Sequence, residues 1–166
     1  MPRGLMSDGV FTTALGPVYC QWSLGGFQKV CFQDAPSHGA EKSPFFENDD
    51  QALWIETLKR FLNGQGPWPK LPYALPQATS LQHQVWRALT TIPAGQVRTY
   101  GEVAAMIGYG NAIRAVAQAC AVNPCAIIVP CHRVVPRAGG VGGYRWGTER
   151  KQALLTLERL NYNTQK

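Results

Sequence analysis

No apolar run in this chain of 166 residues approaches the ~18–20 residues that a membrane-crossing helix needs. The opening Met1-Pro-Arg-Gly-Leu-Met-Ser-Asp8 lacks the apolar core of a secretion signal. From these absences we expect a cytoplasmic protein with no membrane partner. Paired cysteines are missing too. Cys20, Cys31, Cys120, Cys125 and Cys131 are odd in number, and none are spaced C-x-x-C. His38, His83 and His132 are scattered, so neither a disulfide framework nor a structural zinc site is expected. The bland reading of each cysteine is a small buried hydrophobe.

Acidic residues are scarce in one half only. Residues 77–166 hold 3 Asp+Glu against 10 Lys+Arg, net +7, while residues 1–76 hold 7 against 6, net −1, making +6 overall. A half so short of acid fits a polyanion partner, because Lys and Arg neutralise phosphates and release counterions. A basic but merely soluble surface explains it equally well. What remains is ordinary for a globular protein: 45% of residues are hydrophobic, enough to form a core.

Val10–Ala14, Val18–Ser23 and Phe27–Gln33 read as strands, separated by turns at Gly16-Pro17 and Gly25-Gly26. They predict an antiparallel meander, and residues 34–48 predict a loop. Asp49 or Asp50 is placed to cap a helix whose apolar side is Trp54, Leu58, Phe61 and Leu62, with Gly64 past its end. Four prolines between Gly66 and Pro76 exclude regular helix and predict an extended connector. The charge changes sign across it. We therefore expect an α/β domain over residues 1–76 and a mainly α domain over residues 77–166.

In the second part, Ser80 leads a helix that stops before Pro93, and Thr99-Tyr-Gly-Glu102 is a capping box. The helix it starts should run to Ile107, break at Gly108-Tyr-Gly110, and be followed by a helix over Ala112–Ala121. Two short helices around such a turn make a helix-turn-helix candidate, a hairpin also common in proteins that never touch DNA. Ala112, Ala115 and Ala119 share a face of the second helix, beside Arg114 and Gln118. Methyl groups let a helix backbone approach something narrow such as a minor groove, yet alanine equally favours helix and packs against neighbours.

Ala126-Ile-Ile-Val-Pro-Cys-His-Arg-Val-Val135 reads as a buried strand interrupted at Pro130. Cys131 stands beside His132 and Arg133, cationic neighbours of the kind that lower a thiol pKa. In extended chain, adjacent side chains point to opposite faces, so His132 would not bond Cys131 directly. Activation through a water, or through a bend at Pro130, fits better, and a cysteine hydrolase is disfavoured.

The octet Ile128–Val135 closely resembles the active-site signature of the O6-alkylguanine-DNA alkyltransferases. Gln84-Val-Trp86, Thr91–Val97, Thr99–Ala104, Arg114-Ala-Val116, Asn123-Pro124 and Gly143-Tyr-Arg-Trp-Gly147 resemble further family segments, in family order. The resemblance covers residues 77–160, and the N-terminal meander more weakly. It implies a small ribonuclease-H-like α/β domain followed by a winged-helix-like domain that holds the site. It also implies a monomer acting on double-stranded DNA with alkylated bases, by base flipping and one irreversible transfer, with no cofactor.

By that resemblance Cys131 is the alkyl acceptor, and His132, through a water, and Glu158 help form the thiolate. Asn123 ties the recognition helix to the active-site strand, Arg114 fills the stack, and Tyr100 turns the 3′ phosphate and donates a proton to the base. Ala112, Ala115, Gln118 and Arg137 fall on the DNA-binding side. Cys120, Val134, Tyr144, Arg145 and Trp146 line the pocket, with the Trp146 indole narrowing it. Ser23 and Gln28 stand where some members bind zinc, so no metal is expected. Ala126 replaces a proline found in many members, and Arg145-Trp146 follows the pocket tyrosine where many have glycine. These features suggest a bacterial stand-alone repair protein. A DNA-binding module without thiol chemistry is the rival class.

Overall fold

The computed structural model describes residues 6–34 and 45–164. Most of the loop expected at 34–48, together with His38 and Met1–Leu5, lies outside the described residues. The chain forms two compact units. One is Met1–Pro76 with Pro124–Ile128; the other is Gln77–Asn123 with Val129–Lys166.

The first unit is built on the meander β1 (Ser7–Thr13), β2 (Gly16–Ser23) and β3 (Gly26–Phe32), antiparallel in the order β1-β2-β3. Thr13 pairs with Gly16 and Ser23 with Gly26, so both hairpins close at the expected glycine turns. Glycine is required at residue 26. Its φ is +122°, and a Cβ there would stand 2.5 Å from the Pro72 carbonyl carbon. That close approach lets the proline-rich connector lie along β3: Phe27 donates to the Pro72 carbonyl at 2.9 Å and Ala74 to the Phe27 carbonyl at 2.8 Å.

The helix α1 (Asp49–Leu62) is capped by Asn48, whose side chain accepts from Gln51 N at 3.0 Å, rather than by either aspartate. Asp49 and Asp50 sit in the first turn, where they complement the helix dipole. Its inward stripe is Gln51, Ile55, Leu58, Phe61 and Leu62; Trp54 is only half-buried. Trp22, Phe27 and Phe61 are fully buried there, each stabilising the unit by roughly 1.5–3 kcal/mol.

In the second unit, α2 (Ser80–Leu89) and α3 (Tyr100–Met106) both begin with complete capping boxes, Thr79 with Gln82 and Thr99 with Glu102. The helix α4 (Ile113–Ala121) follows the glycine-containing turn without a side-chain cap. Trp86 on α2 donates its indole N–H to the Ala119 carbonyl at 2.9 Å, locking α2 to α4. Ala119 is therefore buried, and the alanine face expected to look outward turns partly into the core. The small residues exposed on α4 are Ala117 and Ala121. Two-residue strands β4 (Arg98–Thr99) and β5 (Val134–Val135) pair in parallel, and α5 (Thr148–Thr164) ends the chain.

The segment expected as a buried strand over 126–135 is mostly something else. Its regular strand is β5 alone. Within the first unit, Val30 bonds Pro124 and Ala126, after which Ile127 takes a φ of 73°, a rare conformation for a β-branched residue. In the second unit, Cys131–Arg133 forms one 3-10 turn. Two local causes are visible. Pro130 has no N–H for a ladder, and the Val129 carbonyl is taken by the Asn123 amide at 2.8 Å. No helix among the described residues is long and apolar enough to cross a membrane.

Candidate active site

Cys131 opens the 3-10 turn, 4% exposed, on the wall of a pocket of about 260 Å³. Tyr100 from α3 and Ala117, Cys120 and Ala121 from α4 form one side of that pocket, and Gly143, Tyr144 and Arg145 from the loop before α5 the other. Val134 and Trp146, expected among the lining residues, are not part of it. Val134 is fully buried in β5, paired with Arg98. Trp146 packs edge-on against Tyr144, ring centroids 5.2 Å apart, with its face under the Arg145 guanidinium at 5.2 Å.

Behind Cys131 lies a buried polar network. His132 Nε2 is 2.6 Å from Glu158 Oε1. The Arg133 guanidinium grips the same carboxylate, with Nε to Oε2 at 3.0 Å and a terminal nitrogen to Oε1 at 2.7 Å. Arg133 also donates to the Ile92 carbonyl, and Gly95 N donates to Glu158 Oε2 at 3.4 Å. All three side chains are at most 1% exposed. Burial alone would push the Glu158 carboxyl up. His132 and Arg133 overcome this and hold it down to about 2. Burial pushes His132 down, against the pull of Glu158, so the ring is neutral at pH 7. With a carboxylate at Nε2, that nitrogen carries the ring hydrogen and Nδ1 is left as an acceptor. Nδ1 is buried and has no hydrogen-bond partner among the described residues.

The thiol differs from expectation. Burial pushes Cys131 up; the Asn123 side chain, the Lys151 ammonium, its own backbone and Arg145 offset this only in part. Arg133, expected to lower it, is instead paired with Glu158. The resting group is a protonated thiol. Asn123, fully buried, joins the end of α4 to the residue two before Cys131. Burial also raises Tyr100, Cys120 and Tyr144.

The remaining expected residues sit outside the pocket. Arg114 and Gln118 project from α4 into solvent, Ala112 and Ala115 are half-buried, and Arg137 is exposed beyond β5. Five residues were missed: Arg133 as the partner of Glu158, Ala117, Ala121 and Gly143 on the pocket wall, and Lys151. The last was findable. Lys151, Leu154, Leu155 and Glu158 recur at i, i+3, i+4 and i+7, which puts Lys151 on the buried face of α5.

Residues 80–160 match the family model described as 6-O-methylguanine DNA methyltransferase, DNA binding domain. A methylated-DNA–protein-cysteine methyltransferase of Methanosarcina acetivorans is 36% identical over 92% of this chain and 98% of its own length. The chain belongs to the O6-alkylguanine-DNA alkyltransferase family. The bifunctional transcriptional activator and DNA repair enzyme Ada of Escherichia coli is 52% identical over 54% of this chain, and the match spans only 26% of Ada. The corresponding share is 50% for a mycobacterial methyltransferase. The crystal structure of Mycobacterium tuberculosis OGT in complex with DNA superposes with a TM-score of 0.75 and 33% identity, over 92% of each chain. Every residue lining the pocket, and every residue of the network behind it, falls inside the matched span 80–160.

Proposed function

We propose that the protein repairs DNA by direct reversal, moving the alkyl group of O6-alkylguanine, or of O4-alkylthymine, in duplex DNA onto Cys131. The observation that carries this reading is that Cys131 alone among the five cysteines both lines a pocket and adjoins the His132–Glu158–Arg133 network. His132 Nδ1 takes the thiol proton through a water, with Glu158 steadying the imidazolium that forms. The sulfur then attacks the alkyl carbon, an S–C bond forms as the O6–C bond breaks, and the departing base accepts a proton delivered by Tyr100. A thioether has no easy leaving group, so each molecule reacts once and no cofactor takes part.

Double-stranded DNA is the partner. The +7 charge of residues 77–166 supports this, as does the DNA complex of the mycobacterial neighbour. The α3–α4 pair is read as the helix-turn-helix, with Gln118, Ala112, Ala115 and Arg137 on the DNA side. Base extrusion costs a few kcal/mol, which Arg114 offsets by entering the stack. The meander with α1 is read as ribonuclease-H-like, and the second unit with its β4–β5 pair as winged-helix-like.

The test is titration of the protein with duplex DNA carrying O6-methylguanine. Repair should plateau at one lesion per protein molecule and vanish in Cys131→Ser, while DNA binding persists. Repair that continues past equivalence would overturn single-use transfer.

A further inference from the structure

The chain reaches Cys131 through two three-residue turns of opposite hand. At the first, Ile128 N donates to the Ala126 carbonyl at 2.8 Å across Ile127, whose φ is 73°. This φ is that of the classic γ-turn, the rare and strained form. Ile127 is the one non-glycine residue at positive φ among the described residues, and a β-branched residue tolerates that region poorly. At the second turn, Cys131 N donates to the Val129 carbonyl at 2.8 Å across Pro130. Its φ of −82° and ψ of 65° are those of the relaxed inverse form. A strained turn persists only where its surroundings hold it.

The first unit supplies that hold. Val30 on β3 donates to the Pro124 carbonyl at 3.0 Å and accepts from Ala126 N at 2.9 Å. Ile127 is fully buried, so its carbonyl needs a partner. The indole N–H of Trp68 donates to it at 3.3 Å. Trp68 stands between Pro67 and Pro69 in the proline-rich connector. A residue before proline is confined to extended backbone, and proline's own φ is fixed, so a stiff segment presents the indole.

We propose that Trp68 is a positioning residue for alkyl transfer: its bond to Ile127 keeps the strained turn, and that turn sets the path that delivers the Cys131 sulfur. The inference rests on the alkyl-transfer reading. In-line attack is sensitive to placement, and a sulfur misplaced by about 1 Å can lose on the order of a hundredfold in rate. Without the indole N–H, Ile127 relaxes toward negative φ and the chain beyond it is redirected. Trp68 touches neither DNA nor the reacting atoms in this account; it acts through the backbone of Ile127.

The experiment measures single-turnover methyl transfer from duplex DNA carrying O6-methylguanine, in wild type, Trp68→Phe, Ile127→Gly and the double variant. Trp68→Phe keeps an aromatic ring and loses the N–H. Its limiting rate should fall about tenfold, while the DNA concentration at half-maximal rate stays within about twofold. Reaction carried to completion should still methylate one Cys131 per molecule, which shows that the variant is folded. Glycine adopts positive φ without strain. In the Ile127→Gly background, Trp68→Phe should therefore slow transfer by less than about twofold. A second arm reads the turn itself by NMR. In Trp68→Phe the amide–Hα coupling and Cα shift of Ile127 should leave their left-handed values, while those of α5 stay unchanged. The proposal is overturned by an unchanged limiting rate in Trp68→Phe, by the same tenfold loss in both backgrounds, or by an unchanged NMR signature of Ile127. Where Ile127→Gly does not fold, the single variant Trp68→Phe and its NMR signature decide. Wild-type protein that transfers no methyl group would instead count against the alkyl-transfer reading, and the NMR arm would still decide whether Trp68 holds the turn.

Discussion

Cys20 on β2 and Cys131 on the 3-10 turn are both buried thiols, and in both burial is the largest force keeping the proton on. Their surroundings differ. Cys20 sits within the first unit's apolar sheet, and its charged-state neighbours are two more thiols, Cys125 and Cys31, which only raise it further. Cys131 has a pocket in front, a neutral imidazole next to it, and a bonded amide and two cations pulling the other way. Burial therefore does not separate the inert cysteine from the reactive one. Both are protonated at rest; only one has a route for its proton and space for an electrophile.

The largest expected effect is on that contrast itself. Cys131→Ser should remove alkyl transfer altogether, because a serine hydroxyl is poorly ionised at neutral pH. Cys20→Ser should transfer at the wild-type rate but lose stability by ~1–3 kcal/mol, since it buries a hydroxyl among apolar groups. Denaturant unfolding and a transfer assay on both variants check the pair.

Next comes the network behind Cys131 in the second unit. Glu158→Gln leaves the Arg133 guanidinium buried without its counter-charge, a loss expected at about 3–5 kcal/mol. The same carboxylate gives a pH dependence with a defined sign. Its folded pKa, about 2 against an ordinary 4.5, means that it stabilises the fold fully above the ordinary value. That contribution fades as pH falls from there through the folded value. Acid unfolding of wild type should steepen over this window, and Glu158→Gln should flatten it.

A smaller, selective effect is expected at the surface. Arg114→Ala should slow repair in duplex DNA by about tenfold or more while leaving reaction with free O6-benzylguanine within about twofold, since only the duplex requires a base replaced in the stack. Equal losses on both substrates would place Arg114 in a structural role. The smallest effect is at Trp146. Because the indole packs against Tyr144 and Arg145 and is not among the residues lining the pocket, Trp146→Gly should change the rate with O6-benzylguanine by less than about twofold, well under the cost of an overpacked site.

The features that were legible in the sequence are those fixed by local chemistry. Glycine turns set both hairpins, and the Thr99–Glu102 capping box set the start of α3. The features that were not legible depend on groups distant along the chain. The 126–135 segment has strand composition, yet Asn123 claims the carbonyl of Val129 and Pro130 offers no donor, so a 3-10 turn forms at Cys131. The cations around the thiol were misassigned for the same reason. Arg133 is adjacent in sequence but turned to Glu158, while Lys151 lies twenty residues on and reaches the site from α5. Trp146 looked like a pocket residue because its neighbours are, and only the packed loop shows which way its ring lies.

The measurement closest to the central claim is a peptide map of all five cysteines after reaction with duplex DNA carrying O6-methylguanine. Cys131 should gain one methyl group, stoichiometrically, with Cys20, Cys31, Cys120 and Cys125 unmodified. A methyl on Cys120, which shares the pocket but not the His132–Glu158 network, or no adduct on Cys131, would contradict it.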